Sequence, residues 1–165
     1  MFLIQRTSFL FCLFSLAVFT WTTSTFAVEE QLEPGALTPP PPIELDEDIG
    51  DFNIMYSSLS SLISNAFSSI SRNNNTVRVS GDTYTTRTVD ELRLTLDIQR
   101  WDGSKWNTIG SRGPFIDYNW YFTSASQSYT VTKGYYYRAR TVHYIRSGRS
   151  TEQVTRYSRH ILVPL

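Results

Sequence analysis

The sequence predicts an all-β domain, an immunoglobulin-like antiparallel β-sandwich of about seven strands, preceded by a signal peptide and a disordered, acidic, proline-rich linker. Three observations support this fold class. Polar and apolar residues alternate through most of the chain after residue 66, and clusters of turn-forming residues separate the alternating stretches. The single cysteine among 165 residues excludes a disulfide framework, and the length suits one domain.

The first 27 residues have the pattern of a Sec-type signal peptide. Arg6 precedes an uncharged run over 9–21 that is rich in Phe and Leu, and small residues occupy the −3 and −1 positions of a cleavage site after Ala27. An uncleaved membrane anchor is the alternative, but the apolar run is shorter than the roughly 20 residues that a spanning helix needs. We therefore expect a secreted, extracellular protein with no transmembrane segment in its mature form.

Residues 28–51 predict a flexible linker between the signal peptide and the domain. The segment contains eight acidic residues, no basic residue and the run Pro39–Pro42. Such a composition cannot bury apolar surface, and consecutive prolines favour an extended polyproline conformation. The acidic residues are concentrated here, so the rest of the chain is basic.

Residues 52–165 contain 14 basic and seven acidic residues, a formal charge of +7. One interpretation is a solubilising surface that the acidic linker partly neutralises. The other is a surface that attracts polyanions such as teichoic acid, acidic polysaccharide, lipid head groups or nucleic acid. Because charge alone sets only non-specific attraction, we predict no specific nucleic-acid partner.

The start of the domain is ambiguous in the sequence. Residues 52–65 have apolar positions at helical spacing but many serines, so we expect a short helix or an irregular lead-in. The β-sandwich domain then occupies 66–165.

Residues 91–100 give the clearest strand. Strict alternation indicates one face toward the core and one toward solvent, as in a half-buried antiparallel strand. We expect Glu91 and Asp97 on the solvated side. The predicted inward residues are Leu92, Leu94, Leu96 and Ile98.

Two later stretches alternate in the same way. Residues 116–122 place their apolar side chains on one face, and 135–145 alternate tyrosines between two faces. The inward tyrosines should be core residues with hydrogen-bonded hydroxyls, as in a tyrosine corner. The residues concerned in the first stretch are Ile116, Tyr118, Trp120 and Phe122; those predicted inward in the second are Tyr135, Tyr137, Ala139, Thr141, His143 and Ile145.

Trp101 and Trp106 are the first candidate ligand-binding residues. Asp102-Gly103 between two strand patterns predicts a tight hairpin. A loop of two or four residues places both tryptophans on the outward face, whereas a three-residue loop with a bulge separates them. Paired exposed aromatics can stack on sugar rings, but such a pair can also simply stabilise the hairpin.

A second candidate surface lies on the outward face of 135–145. It combines aromatic and basic side chains, which suits an anionic glycan or an ordinary sheet surface with cation–π contacts. Its residues are Tyr136, Arg138, Arg140 and Tyr144.

The sequence has no strong catalytic or metal-binding motif. The spacing of His143 and His160, the two histidines, matches no zinc motif, so we expect His143 to be a buried, hydrogen-bonded residue. No nucleophile elbow accompanies the serines. Paired carboxylates leave a small extracellular hydrolase as a remote alternative. We predict a protein that is not an enzyme and that uses neither a metal nor a cofactor.

Several short motifs resemble those of a group of small exported Gram-positive bacterial proteins of unknown function. The resemblance covers about 63–163 and implies a signal peptide, a variable spacer and a single β-sandwich domain. It implies no catalytic or binding residues. The motifs are Gln99-Arg100-Trp101-Asp102-Gly103 with Trp106, Gly134-Tyr135-Tyr136-Tyr137-Arg138, His143 and Glu152.

We therefore predict a secreted, non-enzymatic binding or surface-interaction module. Its ligand class is a cell-envelope glycan or polyanion, such as cell-wall polysaccharide or teichoic acid. The alternative is a structural module that binds a protein partner or another copy through its outward aromatics.

Overall fold

The computed structural model describes residues 32–42 and 62–165, and within them it is all-β. Six strands form one antiparallel sheet in this part of the chain, which confirms the predicted all-β class. The predicted signal peptide and the lead-in over 52–61 lie outside the described residues. The strands are β1 (Ile63–Asn73), β2 (Thr76–Trp101), β3 (Trp106–Thr130), β4 (Tyr135–Ser147), β5 (Ser150–Tyr157) and β6 (Ile161–Val163).

The long strand β2 organises the sheet. Its first half pairs with β1, its second half pairs with β4, and β3 runs along its other edge. β5 and β6 both pair with β4. The β2–β3 register is interrupted between Tyr84 and Val89, where the sheet curls. No helix in the described residues has the length and apolar character to span a membrane.

The curl brings both halves of β2 into one core. Val77 and Val79 from the first half pack in the same cluster as Leu94 and Leu96 from the second. The two halves of β2 approach each other closely, since a Cβ atom at Gly81 would lie 3.2 Å from Leu94 Cδ1. The predicted inward face of 91–100 is confirmed, because its four apolar side chains are fully buried.

His143 connects the two halves of the curled sheet. Its Nδ1 lies 2.6 Å from Thr83 Oγ1, and its Nε2 lies 2.7 Å from Thr141 Oγ1. Burial lowers the pKa of His143 to about 3, so the ring is neutral at neutral pH. The prediction of a buried and hydrogen-bonded histidine is confirmed.

Tyr137 shows the hydrogen bond expected of an inward tyrosine. The residue is fully buried, and its hydroxyl donates to the carbonyl oxygen of Thr132, five residues upstream, at 2.6 Å. This backward hydrogen bond satisfies the phenol inside the core, as in a tyrosine corner.

Residues 32–42, which we call the strap, lie against one end of the sheet. Ala36 N–H donates to the carbonyl oxygen of Glu33 at 2.9 Å, and Gly35 has a φ of +84°, which fits a type II turn with Pro34 at its second position. Leu37 N–H then donates to the carbonyl oxygen of Gly134 at 2.7 Å. The predicted disordered linker over 28–51 thus includes residues that hydrogen-bond to the sheet.

Candidate functional site

The hairpin that joins β2 and β3 places Trp101 directly opposite Trp106. The loop has four residues, one of the two geometries that keep both tryptophans on the same face. Their ring centroids are 5.4 Å apart. Asp102 fixes the loop by accepting hydrogen bonds from the backbone N–H groups of Ser104 and Lys105, each at 2.9 Å. These hydrogen bonds, led by that of Lys105, hold the pKa of Asp102 well below its usual range.

The prediction that both tryptophans are exposed is wrong for Trp101. Only 6% of its surface is exposed, and Trp106 is half-buried. The guanidinium of Arg138 lies 4.5 Å from the centroid of the Trp106 ring and shields part of it. The pair therefore does not form an open platform for a sugar ring, and ligand binding by these residues stays a prediction.

The second candidate surface is also partly covered. Tyr136, predicted to point outward, is 1% exposed. Burial, and then the nearby carboxylate of Glu33 in the strap, raise the pKa of Tyr136. Arg138, Arg140 and Tyr144 are partly exposed. They lie on the outward side of β4, where they contact residues of β2 and β5.

The outward face of β2 carries two buried carboxylates. Glu91 and Asp97, expected to be solvated, are only 4% and 5% exposed. Asp97 accepts hydrogen bonds from Arg140 Nη1 at 2.5 Å and Ser111 Oγ at 2.6 Å. The sequence pattern placed them on the correct side of the strand, but long arginine side chains from the neighbouring strand reach over this side and cover it.

Glu91 is held between two arginines. Its carboxylate accepts hydrogen bonds from Arg93 Nε at 2.5 Å and Arg146 Nε at 3.0 Å. These contacts lower the pKa of Glu91, with the hydrogen bond from Arg93 as the main cause. The carboxylate is therefore charged at neutral pH. We call the outward side of β2 and β4, with its four arginines Arg93, Arg138, Arg140 and Arg146, the arginine face.

A shallow depression of about 320 Å³ lies in the arginine face. The guanidinium of Arg93 sits 5.0 Å from the centroid of the Tyr144 ring. The lining thus combines a cation, an aromatic ring, an amide and a hydroxyl, contributed by four different strands. Its residues are Arg93, Thr95, Pro114, Val142, Tyr144 and Gln153.

β3 exposes an aromatic row that the sequence pattern assigned to an apolar face. Tyr118 is 62% exposed and Trp120 is 51% exposed, and Tyr121 stacks beside Trp120 with 4.9 Å between centroids. Ile116 and Tyr118 lie opposite Arg93 and Glu91 in the β2–β3 register, so this row borders the arginine face. Alternation shows which side chains share one face of the strand. It does not show whether another layer of the protein covers that face.

Within the described residues, no three His, Cys, Asp or Glu side chains converge as a metal site would require. The two buried carboxylates of the arginine face are instead bound by arginine side chains.

Known proteins show only a weak likeness to this chain. The sporulation control protein Spo0M from Bacillus subtilis is 12% identical over 61% of this chain and 50% of its own, with a TM-score of 0.36. CsgH from R. palustris is 14% identical over 55% of this chain and 87% of its own, with a TM-score of 0.35. The chain thus spans half the length of the Spo0M structure. No protein-family model and no curated protein matches the sequence.

Proposed function

We propose that this protein is a secreted, non-enzymatic binding module that holds an acidic glycan of the cell envelope in the depression of its arginine face. The observation that carries the proposal is the depression itself, where the Arg93 guanidinium and the Tyr144 ring lie 5.0 Å apart. A volume of about 320 Å³ is at the lower end of the range of small-ligand pockets. One sugar unit of a longer chain is therefore a suitable occupant.

The depression offers both kinds of contact that an acidic sugar needs. The Arg93 guanidinium lies over one face of the Tyr144 ring, so the proposed stacking of a pyranose uses the opposite face. A guanidinium has five N–H donors, and the ion pair with Glu91 uses the Nε–H of Arg93. The other N–H groups of Arg93 can therefore donate to a sugar carboxylate. Thr95 and Gln153 add a hydroxyl and an amide for sugar hydroxyls.

The charge of the domain also favours an anionic ligand. Residues 62–165 contain all 14 basic residues of the domain against seven acidic ones. On the arginine face, the buried carboxylates are already neutralised, because Glu91 contacts two arginines and Asp97 contacts Arg140. A long anionic polymer would therefore meet no uncompensated buried carboxylate there.

We also propose that the curled sheet is an immunoglobulin-like sandwich and that the chain is exported by a Sec signal peptide, as in small Gram-positive exported proteins. The shared core of the two halves of β2 supports two packed layers. The backward hydrogen bond of Tyr137 supports the immunoglobulin-like comparison.

Binding measurements with three polymers test the proposed ligand class. Oligogalacturonate carries sugar rings and charge, its methyl ester carries the rings without the charge, and polyphosphate carries charge without rings. We expect binding to oligogalacturonate at least tenfold tighter than to either of the others. Equal binding to polyphosphate would contradict the proposal, because it would show that the surface attracts any polyanion. Teichoic acid as the ligand would give the same result.

A matched pair of variants locates the site. Tyr144→Ala removes the ring in the depression, and Tyr121→Ala makes the same change in the aromatic row of β3. A lost aromatic contact of about 0.5–1.5 kcal/mol corresponds to about two- to tenfold weaker binding, expected for Tyr144→Ala only. Weakening by Tyr121→Ala alone would move the site to β3.

The exposed aromatic row of β3 supports a second candidate function, that of a protein-interaction module. Contiguous exposed aromatics mark interaction surfaces more often than single ones do. Sedimentation of the chain over a range of concentrations tests this function, and Trp120→Ala should then abolish any concentration-dependent association. A monomer at all concentrations would exclude self-association through this row.

A further inference from the structure

The strap crosses one end of the sheet and contacts three segments that connect or follow its strands. A Cβ atom at Gly134 would lie only 2.5 Å from Leu37 Cγ, and one at Gly103 would lie 3.8 Å from Thr38 Cγ2. Leu165 N–H donates to the carbonyl oxygen of Gly35 at 3.1 Å. The strap therefore runs from the end of the chain, across the start of β4, to the β2–β3 hairpin.

An aromatic cluster lies at this end of the sheet. Trp106 is in ring contact with Trp101, and His160 lies 6.3 Å from Trp106 and 5.6 Å from Tyr136 between centroids. We call these four residues the aromatic end cluster. Trp101 and Tyr136 are buried, and the closeness of Thr38 to Gly103, in the loop between the two tryptophans, places the strap beside the cluster.

The two tryptophans of this cluster have buried indole N–H groups. Within the described part of the chain neither group has a hydrogen-bond acceptor. Buried indole N–H groups usually have a partner, and the strap supplies none here, so the strap lies beside the tryptophans without a hydrogen bond to their indoles.

A proline-rich segment suits such an aromatic surface. Prolines fix φ near −65°, so a run of prolines is extended before it binds and loses little conformational entropy on binding. Aromatic-lined grooves recognise such segments for this reason. In the strap, Thr38 and Pro41 are buried and Pro39 and Pro40 are half-buried, whereas Pro34 is exposed.

We propose that the aromatic end cluster is a recognition site for an extended, acidic, proline-rich peptide, and that the strap of the same chain occupies it. Charge complementarity supports this occupant, since 28–51 has eight acidic and no basic residues and the domain is at +7. The site is separate from the depression of the arginine face. The packing of the prolines and the backbone hydrogen bonds of Leu37 and Gly35 do not need a covalent connection, so the same peptide should bind when it is supplied separately.

A fluorescent peptide of residues 30–44 tests this in trans. In the full chain, the substitutions Leu37→Ser, Pro39→Ser and Pro41→Ser should weaken the packing of its own strap. This triple variant should therefore bind the peptide saturably. The unchanged chain should bind it at least tenfold more weakly, because the tethered strap competes at a high effective concentration. A peptide with serine at all four positions 39–42, and a strap-weakened chain that also carries Trp106→Ala, should not bind.

Hydrogen exchange in two single variants tests the proposal even if the triple variant fails to fold. Pro41→Ser changes a buried proline of the strap, and Pro34→Ser changes an exposed one. The Leu37 amide, bonded to Gly134, should exchange at least tenfold faster in Pro41→Ser only. Equal exchange in the two variants, or no peptide binding by a folded triple variant, would overturn the proposal.

Discussion

β2 and β3 are nearly equal in length and pair along most of it, but their surroundings differ. β2 has 26 residues and is hydrogen-bonded on both edges, by β3 on one and by β1 and β4 on the other. β3 has 25 residues and, within the described residues, pairs with β2 alone. From Leu94 to Trp101 both faces of β2 are buried or half-buried, whereas β3 is mostly exposed along its length.

The difference teaches that neighbours, more than residue type, decide what these strands do. The outward face of β2 buries even carboxylates, because arginines from β4 reach across to them. β3 has no such neighbour on its outer edge among the described residues and leaves aromatic rings in solvent. We therefore expect β2 to contribute more of the folding free energy than β3, and the β3 edge remains the surface proposed for a protein partner.

The largest expected effect comes from the same truncation in the two strands. Ile98 on β2 is fully buried, and Ile109 on β3 is 45% exposed. Ile98→Ala should lower the free energy of unfolding by about 2–5 kcal/mol. Ile109→Ala should lower it by less than about 1 kcal/mol. Urea unfolding measures both, and similar losses would refute the difference between the strands.

His143 should make the fold sensitive to mild acid. Its pKa is about 3 in the folded chain and about 6.5 when unfolded, so the unfolded chain takes up the proton first as the pH falls. The stability that the neutral His143 contributes is fully present above pH 6.5 and is lost toward pH 3. The free energy of unfolding falls over this range with a limiting slope of about 1.4 kcal/mol per pH unit.

Urea unfolding between pH 7 and pH 5 measures this slope above the range in which carboxylates titrate. His143→Gln should remove most of this slope. A slope that persists unchanged in His143→Gln would contradict the assignment.

Neutralising a carboxylate should lower the stability of the fold when the carboxylate lies on β2 but not when it lies on β3. Asp97→Asn weakens the buried contact with Arg140 and should cost about 1–3 kcal/mol. Asp117 on β3 is exposed, so Asp117→Asn should change stability by less than about 0.5 kcal/mol. Thermal unfolding at neutral pH compares the two, and a larger loss for Asp117→Asn would contradict the contrast.

Trp120→Ala should also have only a small effect on folding. The ring is 51% exposed on β3, so its removal should change the unfolding free energy by less than about 1 kcal/mol. Near-unchanged urea unfolding is the expected outcome. A loss above 2 kcal/mol would show that the ring is part of a packed layer rather than a free surface.

Local alternation predicted many of the core-facing residues. It identified the inward residues of β2, the buried His143 and the hydrogen-bonded inward tyrosine, because these depend on strand periodicity and on the need to satisfy buried polar atoms. The hairpin at Asp102 was also predictable, with its loop length left open between two and four residues.

Features that depend on distant segments were not predictable. The burial of Trp101 and Tyr136 requires the end of the sheet to be covered, and the strap that lies there is about 60 or more residues away in sequence. The burial of Asp97 depends on Arg140, which alternation places only on its own strand. The exposure of Trp120 depends on β3 having no partner on its outer edge in the described structure. Pairing partners are tertiary information that a single sequence pattern does not contain.

The most direct test of the proposed function is NMR mapping of oligogalacturonate binding on the full chain. We expect saturable shifts of the Arg93, Tyr144 and Gln153 side-chain or amide signals, and unchanged signals from Trp120 and Tyr121 on β3. Shifts confined to Trp120 and Tyr121, or small shifts spread over all arginines and removed by salt, would contradict a glycan site on the arginine face.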